Sequence, residues 1–355
     1  MSIEQPPSEA RAGSPTPASS GAEFVGVDVG GTKVSIALMR AGKLEQPHEL
    51  PTDCSGQDAL IDQLHRGILE AIQRCRGRPA AVGVGIPSVI EFARGRVRSS
   101  VNVPLHDVAL GELLSERLGG IEVYIDNDAT CAALAEAHDQ DGRLDCKHLV
   151  MLTVGTGVGG GIIIDGRPFR GATGAAGELG HMIIGMDLSE RAAPQGGFPK
   201  PGSLEALAAG RALDQLTRSA AAAHPDSALA ALGADGHELA GPDAVSSARD
   251  GDPEAIAVLE LLGHRLGVGI ANAINIFDPE VVAIGGGVSA ASELLLDHAR
   301  ESAWSFVLPG VGTGTEIRLA RSGPQAGVRG AALLASQEFS HARPAVTPQS
   351  TTIPA

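Results

Sequence analysis

The sequence is poor in aromatic side chains, with one Trp, one Tyr and seven Phe among 355 residues. Its core therefore cannot rest on large rings. It must be filled by Ala, Val, Leu and Ile at close backbone spacing, for which a hydrophobic content of 43% suffices. Cysteine is scarce as well. Cys54, Cys75, Cys131 and Cys146 are scattered and form no CxxC pair, which argues against a disulfide framework or a cysteine-rich zinc site and for reduced thiols. Cationic residues are outnumbered, 27 Lys and Arg against 42 Asp and Glu. The resulting net charge of −15 disfavours a nucleic-acid or anionic-membrane partner, because neutralising phosphates takes surplus Lys and Arg. Long apolar runs are missing: the longest uncharged stretch, "LVMLTVGTGVGGGIII", is too short and too rich in glycine to cross a bilayer. The first residues carry neither the basic nor the apolar segment of a secretory signal. These absences predict a cytoplasmic protein with a small-molecule partner and no membrane contact.

Glycine, by contrast, is abundant at 47 residues. Between two Pro/Ser/Ala/Gly-rich ends that read as disordered tails, residues 1–22 and 341–355, the length suits about two domains. A repeat marks them. "FVGVDVGGTKVSIALM" and "LVMLTVGTGVGGGIIIDG" share one plan, an apolar strand, a Gly/Thr turn and a second apolar strand. Each opens its own half of a duplicated α/β architecture. Further along, "DALIDQLHRGILEAIQRC" has helical periodicity, "AAVGVGIPSV" and "IEVYID" read as strands, and "ATCAALAEAH" as a helix. "SLEALAAGRALDQL" reads as one helix. "PEAIAVLELLGHRLGVGIANAINIF" is a long one, followed by the strand "VVAIGGG" and the helices "SAASELLLDHARES" and "AGVRGAALLASQEF".

Three glycine turns follow apolar strands: Gly30-Gly31, Gly155 to Gly161, and Gly285 to Gly287. Glycine lets the backbone approach a phosphate closely, and consecutive N–H groups form an anion nest. Any one such turn is equally an ordinary hairpin turn. Three with Gly/Thr chemistry, joined by the hydroxyls of Thr32 and Thr156 and the charge of Lys33, point to a polyphosphate. Asp28, just before the first turn, stands where a carboxylate would hold a hydrated Mg²⁺. Asn127 and Asp128 end a strand and begin a helix. They read either as a plain N-cap or as a substrate hydrogen-bonder and a general base. "GELGH" sets Glu178 and His181 three apart in a glycine-rich loop.

With these motifs in place, the chain resembles the ROK family of sugar kinases and related repressors, within the actin-like ATPase superfamily. "DVGGTK" resembles its first phosphate motif, "NDATCAALAE" the segment with its catalytic base, "GTGVGGG" its second phosphate motif, "GATGAAGELGH" its sugar signature and "VVAIGGGVS" its adenosine-side turn. The likeness spans roughly residues 24–336. It implies a duplicated actin-like (RNase H-like) fold with two lobes, residues 23–145 and 146–340, an active-site cleft between them, and a last helix able to pack back on the first lobe. It implies ATP and Mg²⁺ as cofactors, a sugar or cyclitol as substrate, and a homodimer as the assembly. Asp128 would take the proton from the substrate CH₂OH as it attacks the γ-phosphate. Ser88, Asn102, Asn127, Glu178, His181 and Glu205 would line the sugar. Gly30, Gly31, Thr32, Lys33, Gly155, Thr156 and Gly157 would cradle the phosphates, Asp28 would hold Mg²⁺ through water, and Gly285, Gly286 and Gly287 would lie beside the nucleoside.

The sequence also departs from the family pattern. The family's zinc site uses a histidine matching His181 and three cysteines; here Gly196, Phe198 and Ser203 stand at the cysteine positions, so no structural zinc is expected. The loop is then expected to rest on packing by Phe198, Pro194, Pro199 and Pro201. In the sugar pocket the family's "PG" is Pro87-Ser88, and after Asn102 the turn continues with Leu105 and His106 where an aromatic is frequent. These changes open an amino sugar or a C7-cyclitol as the substrate beside plain glucose. An N-acetylhexosamine kinase and a fructokinase are the alternatives within the class. A non-catalytic sugar-sensing regulator is the alternative outside it. The 23 residues before the first strand are too few for a helix-turn-helix module.

Overall fold

The computed structural model describes residues 21–100, 102–185, 197–234, 236–287 and 291–342. The first half opens with β1 (Glu23–Val29) and β2 (Lys33–Arg40). They pair antiparallel, with Asp28 opposite Ser35 and Val29 opposite Val34, so Gly30 and Gly31 turn a hairpin. The short strands β3 (Lys43–Leu44) and β4 (His48–Pro51) both pair with β2. The helix α1 (Gln57–Gln73) then buries Leu60, Ile61, Leu64, Ile68 and Ala71, one stripe at helical spacing. β5 (Ala81–Ile86) is buried along its length and stops before Pro87, which has no N–H for a ladder. A small antiparallel sheet of β6 (Ser88–Glu91), β7 (Arg96–Ser100) and β8 (His106–Val108) precedes α2 (Leu110–Arg117), β9 (Glu122–Asn127) and α3 (Asp128–Glu136). The main sheet runs β3-β2-β1-β5-β9, with β1, β5 and β9 parallel.

The second half repeats the plan. β10 (Leu149–Val154) and β11 (Val158–Ile164) form the hairpin, and β12 (Arg167–Pro168) extends it. Among the described residues five α-helices follow: α4 (Leu204–Ala208), α5 (Gly210–Ala223), α6 (Ala228–Leu232), α7 (Gly241–Arg249) and α8 (Pro253–Phe277). β13 (Val281–Gly285), α9 (Ser292–Phe306), β14 (Glu316–Leu319) and α10 (Ala326–Ala342) complete the described residues. The sheet order is β12-β11-β10-β13-β14, with β10, β13 and β14 parallel. Two sheets of one topology, each with its own apolar core, form two lobes, and the repeat seen in the sequence is the central hairpin of each.

A third core joins the lobes along α3 and α10. It is rich in small residues, among them Ala132, Ala133, Ala135, Ala331, Ala332 and Ala335. α10, the last helix, lies against β1, β5 and α3. The approach is so close that a side chain on Gly26 of β1 or Gly83 of β5 would collide with the α10 backbone at Val328 or Ala331, and one on Gly330 with Cys131 of α3. Shortage of aromatics and excess of glycine thus have one structural cause, backbone packed on backbone.

One sequence expectation fails. "SLEALAAGRALDQL" is two helices, broken at Ala209, whose backbone is extended at φ −77 and ψ 172. The break lets the Gly210 N–H donate to the Gly155 carbonyl at 2.7 Å, a tertiary bond that outweighs the helical preference of the segment. The tail residues 1–20 and 343–355 lie outside the described residues.

Candidate active site

The first turn is tied down by Thr52. Its hydroxyl donates to the Gly30 carbonyl at 2.7 Å and its N–H to the Thr32 carbonyl at 3.1 Å. Gly30 N–H closes the turn onto Lys33 O at 2.8 Å, leaving Gly31, Thr32 and Lys33 exposed. The Lys33 ammonium is paired with Glu49 of β4 at 2.7 Å, so its charge is already partly engaged. Asn102 is exposed beside this turn, its carbonyl 3.2 Å from where a Gly31 Cβ would stand.

Asp28 is half-buried near the end of β1, between the buried Val27 and Val29, under this turn. Burial raises its carboxyl to about 7; the nearby Asp128 charge adds to the rise and Lys33 opposes it. A side chain on Gly327, in the first turn of α10, would run into this carboxylate. Within hydrogen-bond reach, no donor side chain among the described residues contributes to it. A desolvated carboxylate without a donor is a fitting partner for a hydrated cation.

Of the two readings that the sequence left open for Asn127 and Asp128, the structure shows the cap. Asn127 caps α3: its Oδ1 accepts the N–H groups of Ala129 at 2.9 Å and Thr130 at 3.2 Å, and its Nδ2 donates to the Ser88 carbonyl at 3.3 Å. Asp128, the first helical residue, is left free of the capping duty. Burial raises its carboxyl, and Glu178 from the other lobe raises it further, against the Ala129 N–H that lowers it. α3 enters between β5 and β11: a Gly85 side chain would touch Asp128 Cα, and a Gly159 side chain would touch Ala129. Asp128 therefore sits where the lobes meet.

The second lobe contributes the rest. Glu178 is half-exposed, with its Oε2 3.8 Å from His181 Nε2. Among the described residues His181 Nδ1 is enclosed without a hydrogen-bond partner, and the Phe198 ring stands edge-on to the imidazole at 5.1 Å but is 73% exposed, so the expected packing of the loop by Phe198 is not found. Ser203 caps α4 by accepting the Ala206 N–H at 3.2 Å. Gly196 and Pro194 lie outside the described residues. Glu205 lies under the second turn and accepts the Val158 N–H at 2.8 Å; a Gly157 side chain would reach its Oε2 at 2.5 Å. Ser88 is buried, its hydroxyl enclosed with no partner among the described residues and its carbonyl taken by Asn127.

The second and third turns meet at a cavity of about 580 Å³, within the usual range for small-molecule sites. Gly155, Thr156 and Gly287 line one side, and Val245, Leu259 and Leu295 give it an apolar wall. Gly285 ends β13, and Gly286 turns the chain at φ 87, a conformation that suits glycine. Gly210, Asp214 and Arg249 also line this cavity and escaped the sequence reading. Gly210 alone left a signal there, a glycine inside a helical pattern.

Comparison with known proteins agrees with this geometry. The ROK family profile matches residues 24–338. The chain is 35% identical over 326 residues to a glucokinase of Halalkalibacterium halodurans, covering 89% of this chain and 95% of that one. It is 34% identical over 327 residues to an N-acetyl-D-glucosamine kinase of Shigella boydii, covering 88% and 98%. The crystal structure of a ROK family glucokinase from Streptomyces griseus in complex with glucose and AMPPNP superposes with a TM-score of 0.70 at 30% identity, covering 89% of this chain and 99% of that one. The two matching lobes are the actin-like arrangement of sugar kinases. With its fold, glycine turns and helix-borne acid all accounted for, the chain belongs to the ROK family.

Proposed function

We propose that this ATP-dependent carbohydrate kinase phosphorylates the primary CH₂OH of a hexose or hexose-like cyclitol, with Asp128 as the general base. The observation that carries the reading is the Asp128 carboxylate itself. It is raised by burial, free of capping, and faces Glu178 across the meeting of the lobes. A base whose pKa lies above the ordinary aspartate value accepts a proton more readily once ionised. Phosphoryl transfer asks mainly for in-line positioning and charge neutralisation. Gly31, Thr32 and Lys33 in the first turn and Thr156 and Gly157 in the second would supply the N–H groups for the phosphates, while the Gly30 and Gly155 N–H groups close those turns onto the Lys33 and Gly157 carbonyls. The cavity beside Gly285 to Gly287 would take the nucleoside. Asp28 would hold Mg²⁺ through its water shell, and the ion would supply positive charge against the phosphate oxygens.

For the sugar, Glu178, His181, Asn102 and the second Nδ2 hydrogen of Asn127 are the groups we assign to ring hydroxyls. Glu205 would act mainly by fixing the second turn, and Ser88 by holding Asn127. Relatives named as glucokinase and as N-acetyl-D-glucosamine kinase match this chain about equally, which supports glucose and an amino sugar alike. The replaced "PG" and aromatic positions keep a cyclitol in the set. We place the reaction in the cytoplasm, where ATP is available; among the described residues no helix is long and apolar enough to cross a membrane. We further propose a homodimer, no nucleic-acid partner, lobes divided near residue 145, and no structural zinc, since Phe198 and Ser203 offer no thiolate and Ser203 is engaged in capping.

The test is an ATP-dependent phosphorylation screen over hexoses, N-acetylhexosamines and cyclitols, with zinc measured in the same sample. Transfer to at least one primary hydroxyl, with zinc well below one per chain, is expected. No transfer to any acceptor would leave the sugar-sensing regulator as the better reading. Stoichiometric zinc would overturn the metal-free loop.

A further inference from the structure

Arg170 follows β12 and opens the glycine-rich segment that leads to Glu178 and His181. Its side chain does not stay in its own lobe. Nε donates to Asp126 Oδ2 at 2.7 Å, Nη2 to Glu338 Oε1 at 3.1 Å, and the guanidinium lies 3.4 Å above the centre of the Phe92 ring. Asp126 belongs to β9 of the first lobe, Phe92 follows β6, and Glu338 is on α10. One guanidinium therefore ties three elements to the start of the sugar loop. The Asp126 side chain is 2% exposed and that of Arg170 16%, so the pair is largely out of water. A planar fork that bridges two carboxylates and stacks on a ring is a task for Arg and not for Lys.

Both ends of this tie lead directly to the proposed site. The other oxygen of Asp126, Oδ1, accepts the N–H of Asn127 at 2.9 Å, and Asn127 is the cap from which Asp128 projects. On the loop side, the Arg170 carbonyl accepts the Ala176 N–H at 3.1 Å, two residues before Glu178. Gly174, at φ 89, lies so close to the first lobe that a side chain there would meet the Ile90 carbonyl. A shift of Arg170 would thus move the base and the sugar-binding acid relative to each other, although it touches neither reactant.

We infer that Arg170, acting through Asp126, is a positioning residue that sets the separation of Asp128 from the Glu178–His181 loop across the two lobes. The inference rests on the proposed role of Asp128. A misplacement of about 1 Å far from the chemistry can lower a rate about 10²-fold.

The experiment compares the full-length wild type with Arg170→Ala, Arg170→Lys, Arg167→Ala and Asp128→Asn, using the best acceptor from the screen. Arg167 also pairs with Glu338, at 3.6 Å, but not with Asp126, and serves as the control. Arg170→Ala and Arg170→Lys should lower kcat about 10²-fold. The KM for ATP should stay within about twofold, because the phosphate turns lie elsewhere, and the KM for the acceptor should rise. Added guanidinium should restore at least a tenth of the lost rate to Arg170→Ala, which a merely structural role would not allow. If Arg170→Ala fails to fold, Arg170→Lys, folded by circular dichroism, carries the same kcat and KM comparison. Arg167→Ala should keep wild-type kcat. Folded Arg170 variants with kcat within about threefold of wild type would overturn the inference, as would a loss in Arg170→Ala that guanidinium leaves unchanged. If Asp128→Asn is inactive and the Arg170 variants are not, this inference alone falls. If Asp128→Asn transfers as fast as wild type, the base assignment and this inference fall together.

Discussion

The two central hairpins are the same object used twice. In the first lobe Asp28 lies opposite Ser35 and beside Gly85; in the second, Thr153 lies opposite Gly159 and beside Gly285. Register for register, the first copy has a carboxylate where the second has a hydroxyl. The strand that follows in each sheet diverges likewise: β9 ends in Asn127 and leads to Asp128, whereas β14 ends at Leu319 and leads to Ala320 and Arg321. The first copy thus gathers acids: burial and then the Asp128 charge raise Asp28, while burial and then Glu178 from the other lobe raise Asp128. The second gathers glycines around a cavity of about 580 Å³ with an apolar wall. On the proposed reading, one scaffold divides the labour: ion and proton on one side, nucleoside on the other.

This contrast is sharpest at Asp28, where the largest effect outside the general base itself is expected. Asp28→Asn should lower turnover by roughly 10²-fold, the lower range for one charged catalytic group, with the deficit concentrated in the Mg²⁺ dependence. The same variant should be more stable than wild type in alkaline buffer. The raised carboxyl favours the fold while protonated. That contribution is complete below the ordinary value of 3.8 and is lost as pH rises through about 7. Thermal unfolding above pH 7 should therefore show Tm higher by ~2 °C in Asp28→Asn, and no gain at pH 4. Acidification should also weaken wild-type activity from about pH 7 downward as Asp28 takes up a proton, which a pH profile at saturating acceptor will show.

In the second copy the turn depends on its carboxylate support. Gly157→Ala would drive a methyl group toward Glu205 Oε2, and Glu205→Gln would weaken the bond to Val158 N–H. Each should raise the KM for ATP about 5- to 10-fold, equivalent to roughly 1–1.4 kcal/mol, with kcat less affected. The smallest effect belongs to Lys33. It is exposed and already paired with Glu49, so Lys33→Ala should change the KM for ATP by less than about threefold. A larger loss would mean that the ammonium leaves Glu49 for the phosphates and that the first copy contributes more to the nucleotide than its resting geometry suggests.

What the sequence made legible were features written in adjacent residues. The hairpins, the three turns and the cap at Asn127 each depend on a few consecutive side chains, and the alternation of apolar runs with glycine announces them. What stayed hidden depends on distant partners. The break at Ala209 is caused by a bond to Gly155, and the Asp126–Arg170–Glu338 tie joins residues 44 and 168 positions apart. The cavity at the second and third turns draws its walls from helices in a stretch whose alanine-rich composition carries no positional motif. Ser88 shows the same limit from the other side. Its place in the motif suggested a hydroxyl for the substrate, whereas its surroundings enclose that hydroxyl and leave the backbone carbonyl to orient Asn127.

The most direct measurement is single-turnover transfer of the γ-phosphoryl group to a bound acceptor by Asp128→Asn, with acceptor and nucleotide affinities determined on the same preparation. The account predicts affinities within about threefold of wild type and a transfer step slower by about 10²–10⁴-fold. Transfer at the wild-type rate by a variant that still binds both ligands would contradict it.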